Sequence, residues 1–268
     1  MLDLKRCGFN LTEAFRATLE YSNLLVNKRK LITPSTGGDG RPVLVIPGLT
    51  ASDRMTKHLC KILKEKGYKA YGWEGGYNRG LNDKTAEHLS QRLQQVFKEN
   101  GNEKVTLIGH SLGGLFAREL AREFPEMVHE VISMGTGFGV GLDQNALPAV
   151  VRKVINASSA ISLEDEDLAR RMLTPPPVPA TSIFSKKDGV SSWRICLNPA
   201  TPQTENIQVG SGHVGLIWNV DAINVILARL AQPKDQWKPL FMAGTEKLPK
   251  NPHWKPGKSA AANLFRKN

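Results

Sequence analysis

Six consecutive residues, Gly109-His110-Ser111-Leu112-Gly113-Gly114, set a hydroxyl among small neighbours in a pattern that can hold a nucleophile. The pattern recurs by chance, but here it follows the apolar run VTLI and precedes the helical run LFARELAREF, which puts the serine on a strand-to-helix turn. A serine at such a turn is driven toward a positive backbone φ, and glycines two residues before and after it relieve the crowding. The turn lifts the Ser111 hydroxyl above the sheet edge and aims the positive N-terminus of a helix at it. A hydroxyl is a weak nucleophile until a positioned base takes its proton, so a histidine and a carboxylate have to be found for it.

The elements that would position these groups follow a simple rhythm. Between Arg41 and Gln232 short apolar runs alternate with amphipathic stretches, the pattern of a parallel sheet joined by crossover helices. Strands are predicted over 42–48, 69–73, 104–110, 129–135, 180–185 and 205–209, and their unbroken apolar character suits burial on both faces. Residues 52–66 put Met55, Leu59, Ile62 and Leu63 on one helical face, and 84–99 do the same with Leu89, Leu93, Val96 and Phe97. Gly67 and Gly101 supply the C-terminal caps. A further helix, predicted over 10–25, carries Leu11, Phe15, Leu19 and Tyr21 to Leu25 as the surface by which it packs on the domain. From 137 to 179 no strand appears; helices over 147–157 and 163–173, stopped at Pro175, Pro176 and Pro177, read as a small cap. The expected organisation is an N-terminal helix within 1–40, an α/β domain over 41–232 with the cap inserted at about 137–179, and a basic, partly disordered tail over 233–268.

With the serine turn and this element order, the chain resembles the α/β-hydrolase superfamily in its serine esterase and lipase branch, over residues 42–230. The stretch VLVIPGLTASDRMTKHLCKILKEKGYKAYGW, with Asn78-Arg79-Gly80 after it, resembles small bacterial hydrolases with a V-x-P-G loop. The resemblance implies a three-layer fold of about six mostly parallel strands with helices on both faces and a small helical cap. That is fewer than the eight strands common in the family, with a helix where an antiparallel pair would stand. It also implies a chain order of nucleophile, acid, histidine, the acid after a late strand and the histidine after the last one. Asp188 in SIFSKKDGV and His213 in QVGSGHVGL fill those places. His58 and His88 fall within helices, His129 opens a strand, His253 lies in the tail, and His110 points away from the sheet top. Gly210, Gly212 and Gly215 free the loop to aim the His213 ring. For the acid, Glu205 is second to Asp188, and Glu164, Asp165 and Asp167 lie on a charged cap helix. The oxyanion donors implied by the family are the backbone amides of Leu112 and of Leu49, after Pro47-Gly48. Ser52 or Asp53 is expected to cap the next helix, with Arg54 at the site edge.

The chemistry implied is cleavage of a carboxylic ester through an acyl-enzyme, with no cofactor and no metal, on a small-molecule acyl ester whose apolar chain matches the apolar cap positions. An acyltransferase or thioesterase uses the same triad, and a non-catalytic binding module on the same fold is the rival from another class. Composition excludes other readings. Of 268 residues 40% are hydrophobic and 23% charged, which rules out whole-chain disorder. The three cysteines, Cys7, Cys60 and Cys196, form no metal or disulfide pattern. Of the net charge of +11, more than half sits on residues 234–268, where eight Lys or Arg face only Asp235 and Glu246. A weak contact of this tail with a membrane surface or other anion is therefore an expectation, and a nucleic-acid partner is not. The absence of an 18-residue apolar run or a leader-like N-terminus makes the expected location cytoplasmic. Oligomeric state leaves no sequence signal.

Overall fold

The computed structural model describes residues 4–32, 37–80, 82–139 and 171–240, with the side chains of the first helix described at Glu13 and from Phe15 onward. In chain order the helices are α1 (Leu4–Asn27), α2 (Asp53–Glu65), α3 (Asp83–Glu99), α4 (Leu112–Glu123) and α5 (Val220–Leu230). The strands are β1 (Pro42–Ile46), β2 (Lys69–Gly72), β3 (Val105–His110), β4 (Val128–Met134), β5 (Ala180–Phe184) and β6 (Thr204–Gln208). They form one sheet in the order β2-β1-β3-β4-β5-β6, and every neighbouring pair is parallel.

Because successive side chains of a strand point to opposite faces, each strand feeds two cores. Val43, Val45, Ile108 and Ile132 pack with Leu59, Ile62 and Leu63 of α2, with Ile223 and Ile226 of α5 and with Leu24 of α1. Leu44, Ile46, Leu107 and Val131 pack with Leu89, Leu93 and Val96 of α3 and with Phe116, Ala117 and Leu120 of α4. Each such side chain contributes about 1.5–3 kcal/mol when taken fully out of water, so the three layers hold together through both cores. The strand order reverses between β1 and β3, and the loops leaving the carboxyl ends of these two strands diverge to opposite faces. That leaves a crevice at the sheet top, where α/β proteins bind ligands.

Two expectations change. The first helix is longer than its predicted 10–25, and only part of its predicted surface docks: Leu24 is buried and Tyr21 meets His58 and Trp218, with Glu13 and Ala17 buried beside them, whereas Phe15, Leu19 and Leu25 are exposed. Where Glu13 docks, the surface is backbone of the loops at the sheet top, which polar side chains satisfy better than apolar ones. At the start of the expected tail Trp237 and Leu240 pack back on the domain. Leu240 is buried with its amide donating to Glu205 Oε1 at 2.8 Å, and the Arg229 guanidinium lies 4.6 Å from the Trp237 ring centre. Neither side chain of Ser52 or Asp53 caps α2: the Asp53 carboxylate instead accepts from the Trp73 and Glu74 amides, both at 3.0 Å, and ties α2 to the end of β2. The cap helices, apart from helical residues 171–173, and the tail beyond Leu240 lie outside the described residues.

Candidate active site

Strand β3 runs straight into Ser111, whose φ of 53° and ψ of −122° depart from every regular conformation, and α4 starts at the next residue. A non-glycine residue held there costs on the order of 1–3 kcal/mol, which the surroundings must offset. Ser111 N donates to the Met134 carbonyl at 2.8 Å, and Thr136 Oγ1 donates to the Ser111 carbonyl at 3.0 Å, so the end of β4 anchors the turn. A Cβ at Gly113 would strike the Ile46 carbonyl, and one at Gly109 would strike the backbone of Gly113 and Gly114. Strand, turn and helix therefore meet backbone to backbone, and only glycine permits that.

Around this turn the structure brings together Ser111, His213 and Asp188 although their positions are far apart in sequence. His213 Nε2 lies 2.9 Å from Ser111 Oγ, and His213 Nδ1 lies 2.7 Å from Asp188 Oδ2. Asp188 Oδ1 accepts from the Val190 and Ser191 amides at 2.8 and 2.7 Å, which leaves Oδ2 for the imidazole and assigns the proton to Nδ1. Burial would lower the affinity of His213 for a proton, but the Asp188 charge and hydrogen bond, with Glu13 adding to them, outweigh it and raise its pKa above 6.5. The two loops that carry Asp188 and His213 are joined by Ser185 Oγ, which donates to the Ser211 carbonyl at 2.6 Å and accepts from the Ser211 amide at 3.2 Å.

On the other side of Ser111 the loop after β1 brings in Gly48, Leu49 and Thr50. Asn78, fully buried, donates from Nδ2 to the Pro47 carbonyl at 2.9 Å and accepts from the Thr50 amide at 2.7 Å, which fixes this loop. Among the described residues neither the Leu49 nor the Leu112 amide has a hydrogen-bond partner, and Leu112 is the first residue of α4. A cavity of about 500 Å³ opens over Ser111 and His213, lined by Leu49, Arg54, Met55, Tyr77, Val214 and Trp218. Its volume falls in the usual range for small-molecule sites.

The rival groups are engaged elsewhere. His58 bonds Tyr21 Oη, His88 the Trp73 carbonyl and His129 the Lys234 carbonyl; Glu205 pairs with Arg229. His253, Glu164, Asp165 and Asp167 lie outside the described residues. His110, expected to point away from the sheet top, instead turns its ring toward the site: its Nε2 donates to the His213 carbonyl at 2.8 Å, and burial, with the neighbouring His213, lowers its pKa to about 4. It is thus a neutral buttress of the His213 loop. Sequence reasoning also missed Glu13 of α1, which bonds both loops and has no local signal, because an acid on a surface helix looks like any solvated residue. Asn78 was within reach, since a polar residue in an Asn-Arg-Gly turn beside a predicted ligand loop is a candidate buttress.

A family model described as alpha/beta hydrolase fold matches residues 41–162. Triacylglycerol lipases of Pseudarthrobacter phenanthrenivorans and Burkholderia plantarii are each 32% identical to the chain over 106 residues, which is 35% of this chain and 32% and 29% of theirs. The chain thus spans about a third of the length of the curated relatives it matches. The crystal structure of a Paleococcus ferrophilus monoacylglycerol lipase superposes with a TM-score of 0.53 at 16% identity, covering 72% of this chain and 96% of that one, a likeness of fold.

Proposed function

We propose that this chain, whose residues 41–162 match the alpha/beta hydrolase fold model, is a serine carboxylic-ester hydrolase, an esterase or lipase acting on a small acyl ester. The observation that carries the reading is the unbroken chain from Ser111 Oγ to His213 Nε2 at 2.9 Å and from His213 Nδ1 to Asp188 Oδ2 at 2.7 Å. In this reading His213 takes the Ser111 proton as the serine oxygen attacks the ester carbonyl. Asp188 holds the imidazole in the tautomer with hydrogen on Nδ1 and stabilises the imidazolium. The Leu49 and Leu112 amides, the latter at the positive end of α4, stabilise the tetrahedral oxyanion. His213 then gives its proton to the departing alcohol and activates the water that hydrolyses the acyl-enzyme. No cofactor enters any step. An apolar acyl chain suits the Leu49, Met55, Tyr77 and Trp218 lining of the cavity, and the lipase relatives support the same substrate class.

The test is hydrolysis of a chromogenic ester series from acetyl to palmitoyl, with Ser111→Ala beside wild type and circular dichroism on both. Wild type is expected to turn over at least one ester, and Ser111→Ala to lose roughly 10⁵- to 10⁶-fold in kcat with an unchanged spectrum. A folded wild type that is inert on the whole series sinks simple ester hydrolysis, and thioesters and acyl transfer would be tried next.

A further inference from the structure

Beside the buried Ala17 and Leu24, the face that α1 turns toward the domain carries polar groups. Glu13 is buried there, and its two carboxylate oxygens go to two different loops: Oε1 accepts from the Gly189 amide at 3.0 Å and Oε2 from the Val214 amide at 3.2 Å. Gly189 directly follows Asp188 and Val214 directly follows His213. One side chain therefore bridges the residues adjoining the two members of the Asp–His pair. Its neighbours on the same helical face add to the grip. Arg16 lies 3.6 Å from Glu13 and donates to the Lys187 carbonyl at 2.8 Å, and Glu20 accepts from Asn219 Nδ2 at 3.0 Å.

The histidine loop is shaped for this contact. Gly212 and Gly215 are not at positive φ, so backbone conformation does not require glycine there. What requires it is space: a Cβ at Gly212 would sit 2.8 Å from Glu13 Oε2, and one at Gly215 would sit 2.7 Å from Glu20 Cγ. Gly212 admits the Glu13 carboxylate to the loop backbone and Gly215 makes room for the Glu20 side chain, a role distinct from loop freedom.

We propose that Glu13 is a positioning residue for the Ser111–His213–Asp188 site, a carboxylate clamp that holds the acid loop and the histidine loop at the separation the proton transfer needs. The proposal rests on the hydrolase reading above. Its chemistry is second-hand but substantial: a displacement of about 1 Å in a reacting group can cost about 100-fold in rate. The clamp also places a negative charge near the imidazole. The titratable and charged groups acting on His213 are Asp188 from the acid loop, His110 from the serine turn and Glu13 from α1, with Arg16 3.6 Å from Glu13 on the same helix. Asp188 is the stronger influence and Glu13 adds to it in favouring the protonated ring.

The experiment compares wild type, Glu13→Gln and Ser111→Ala as full chains on one turned-over ester, measuring kcat, KM, the pH profile of kcat/KM and the thermal midpoint. Glutamine keeps the shape of the side chain but offers one acceptor oxygen where two are used. The expected result is a folded Glu13→Gln protein with kcat lower by about 10- to 100-fold, KM within about twofold, and the acid limb of kcat/KM shifted to lower pH because a negative charge has left the neighbourhood of His213. A purely structural role would lower the melting point and leave the pH profile where it was, and that result overturns the proposal, as does wild-type kcat in the variant. Should Glu13→Gln not fold, Gly212→Ala presses on the same carboxylate, and a folded Gly212→Ala protein with unaltered kcat and pH profile overturns the clamp. Ser111→Ala separates the two layers of argument: if it keeps wild-type turnover the hydrolase reading fails, whereas if it is dead and Glu13→Gln is not impaired, only the clamp fails.

Discussion

At the top of the sheet His213 lies buried between Asp188 and Ser111, and toward the opposite end of the same sheet Arg229 lies buried between Glu205 and Glu130, near the starts of β6 and β4. Both are positive or protonatable groups withdrawn from water, and both satisfy the rule that a buried charge must be paired. They differ in what is left over. The Arg229 guanidinium is an ion-pair partner of Glu205 and stands 4.0 Å from Glu130. It also donates to the Lys238 carbonyl at 2.7 Å and to Gln232 Oε1 at 3.0 Å, and it stacks on Trp237. It is enclosed by the C-terminal turn that it helps to hold. His213 is clamped on its Nδ1 side by Asp188, while its Nε2 faces Ser111 under an open cavity. One cluster spends its electrostatics on joining β4, β6 and α5, and the other keeps one edge of the imidazole available for proton transfer.

The sharpest way to break that contrast is Asp188→Asn. With the wrong partner at Nδ1 the imidazole is expected to turn its proton toward Ser111, and kcat falls by about 10⁴-fold, equivalent to about 5 kcal/mol of transition-state stabilisation, while thermal melting moves little. Steady-state kinetics beside a melting curve reads both. Arg229→Met is the mirror experiment. It strands Glu205 and Glu130 in the core, and chemical denaturation should report about 3–5 kcal/mol lost, with kcat per folded molecule within about twofold of wild type. A large drop in kcat without loss of stability would erase the proposed division between the clusters. The smallest effect is on pH. The proposed mechanism needs neutral His213, whose pKa is raised, so the acid limb of kcat/KM is expected to have its midpoint above 6.5. Stability runs the other way: the imidazolium–carboxylate contact contributes fully below about pH 6.5, the ordinary imidazole value, and is lost as pH climbs through the raised folded value. Denaturation at two pH values on either side of that window, in wild type and His213→Gln, measures it.

How much was legible follows from sequence distance. The strands and the helices α2 to α4 were readable because hydrophobic periodicity and glycine caps are written over ten or fifteen neighbouring residues. The strained serine turn was readable for the same reason: Gly109, Ser111 and Gly113 are local, and φ of 53° is what their spacing anticipates. The docked face of α1 was read only in part. Leu24 reaches the core, but Phe15 and Leu19 face solvent, and Glu13 pairs with backbone more than 170 residues away, which no amphipathic pattern encodes. At the start of the tail Trp237 and Leu240 offered a local hint of packing, large apolar side chains among prolines, and they meet Arg229 and the core.

The amino-acid sequence by itself determined the alternation that builds a parallel sheet and the turn that presents Ser111, because covalent neighbours carry that information in their sizes and φ preferences. Only the tertiary structure decided that Gly212 and Gly215 make room for α1, that His110 braces a carbonyl instead of a proton, and that Glu13 spans the loops of Asp188 and His213. Those contacts depend on where backbone donors and acceptors come to rest in space, and every residue has the same backbone, so the sequence has no letter for them.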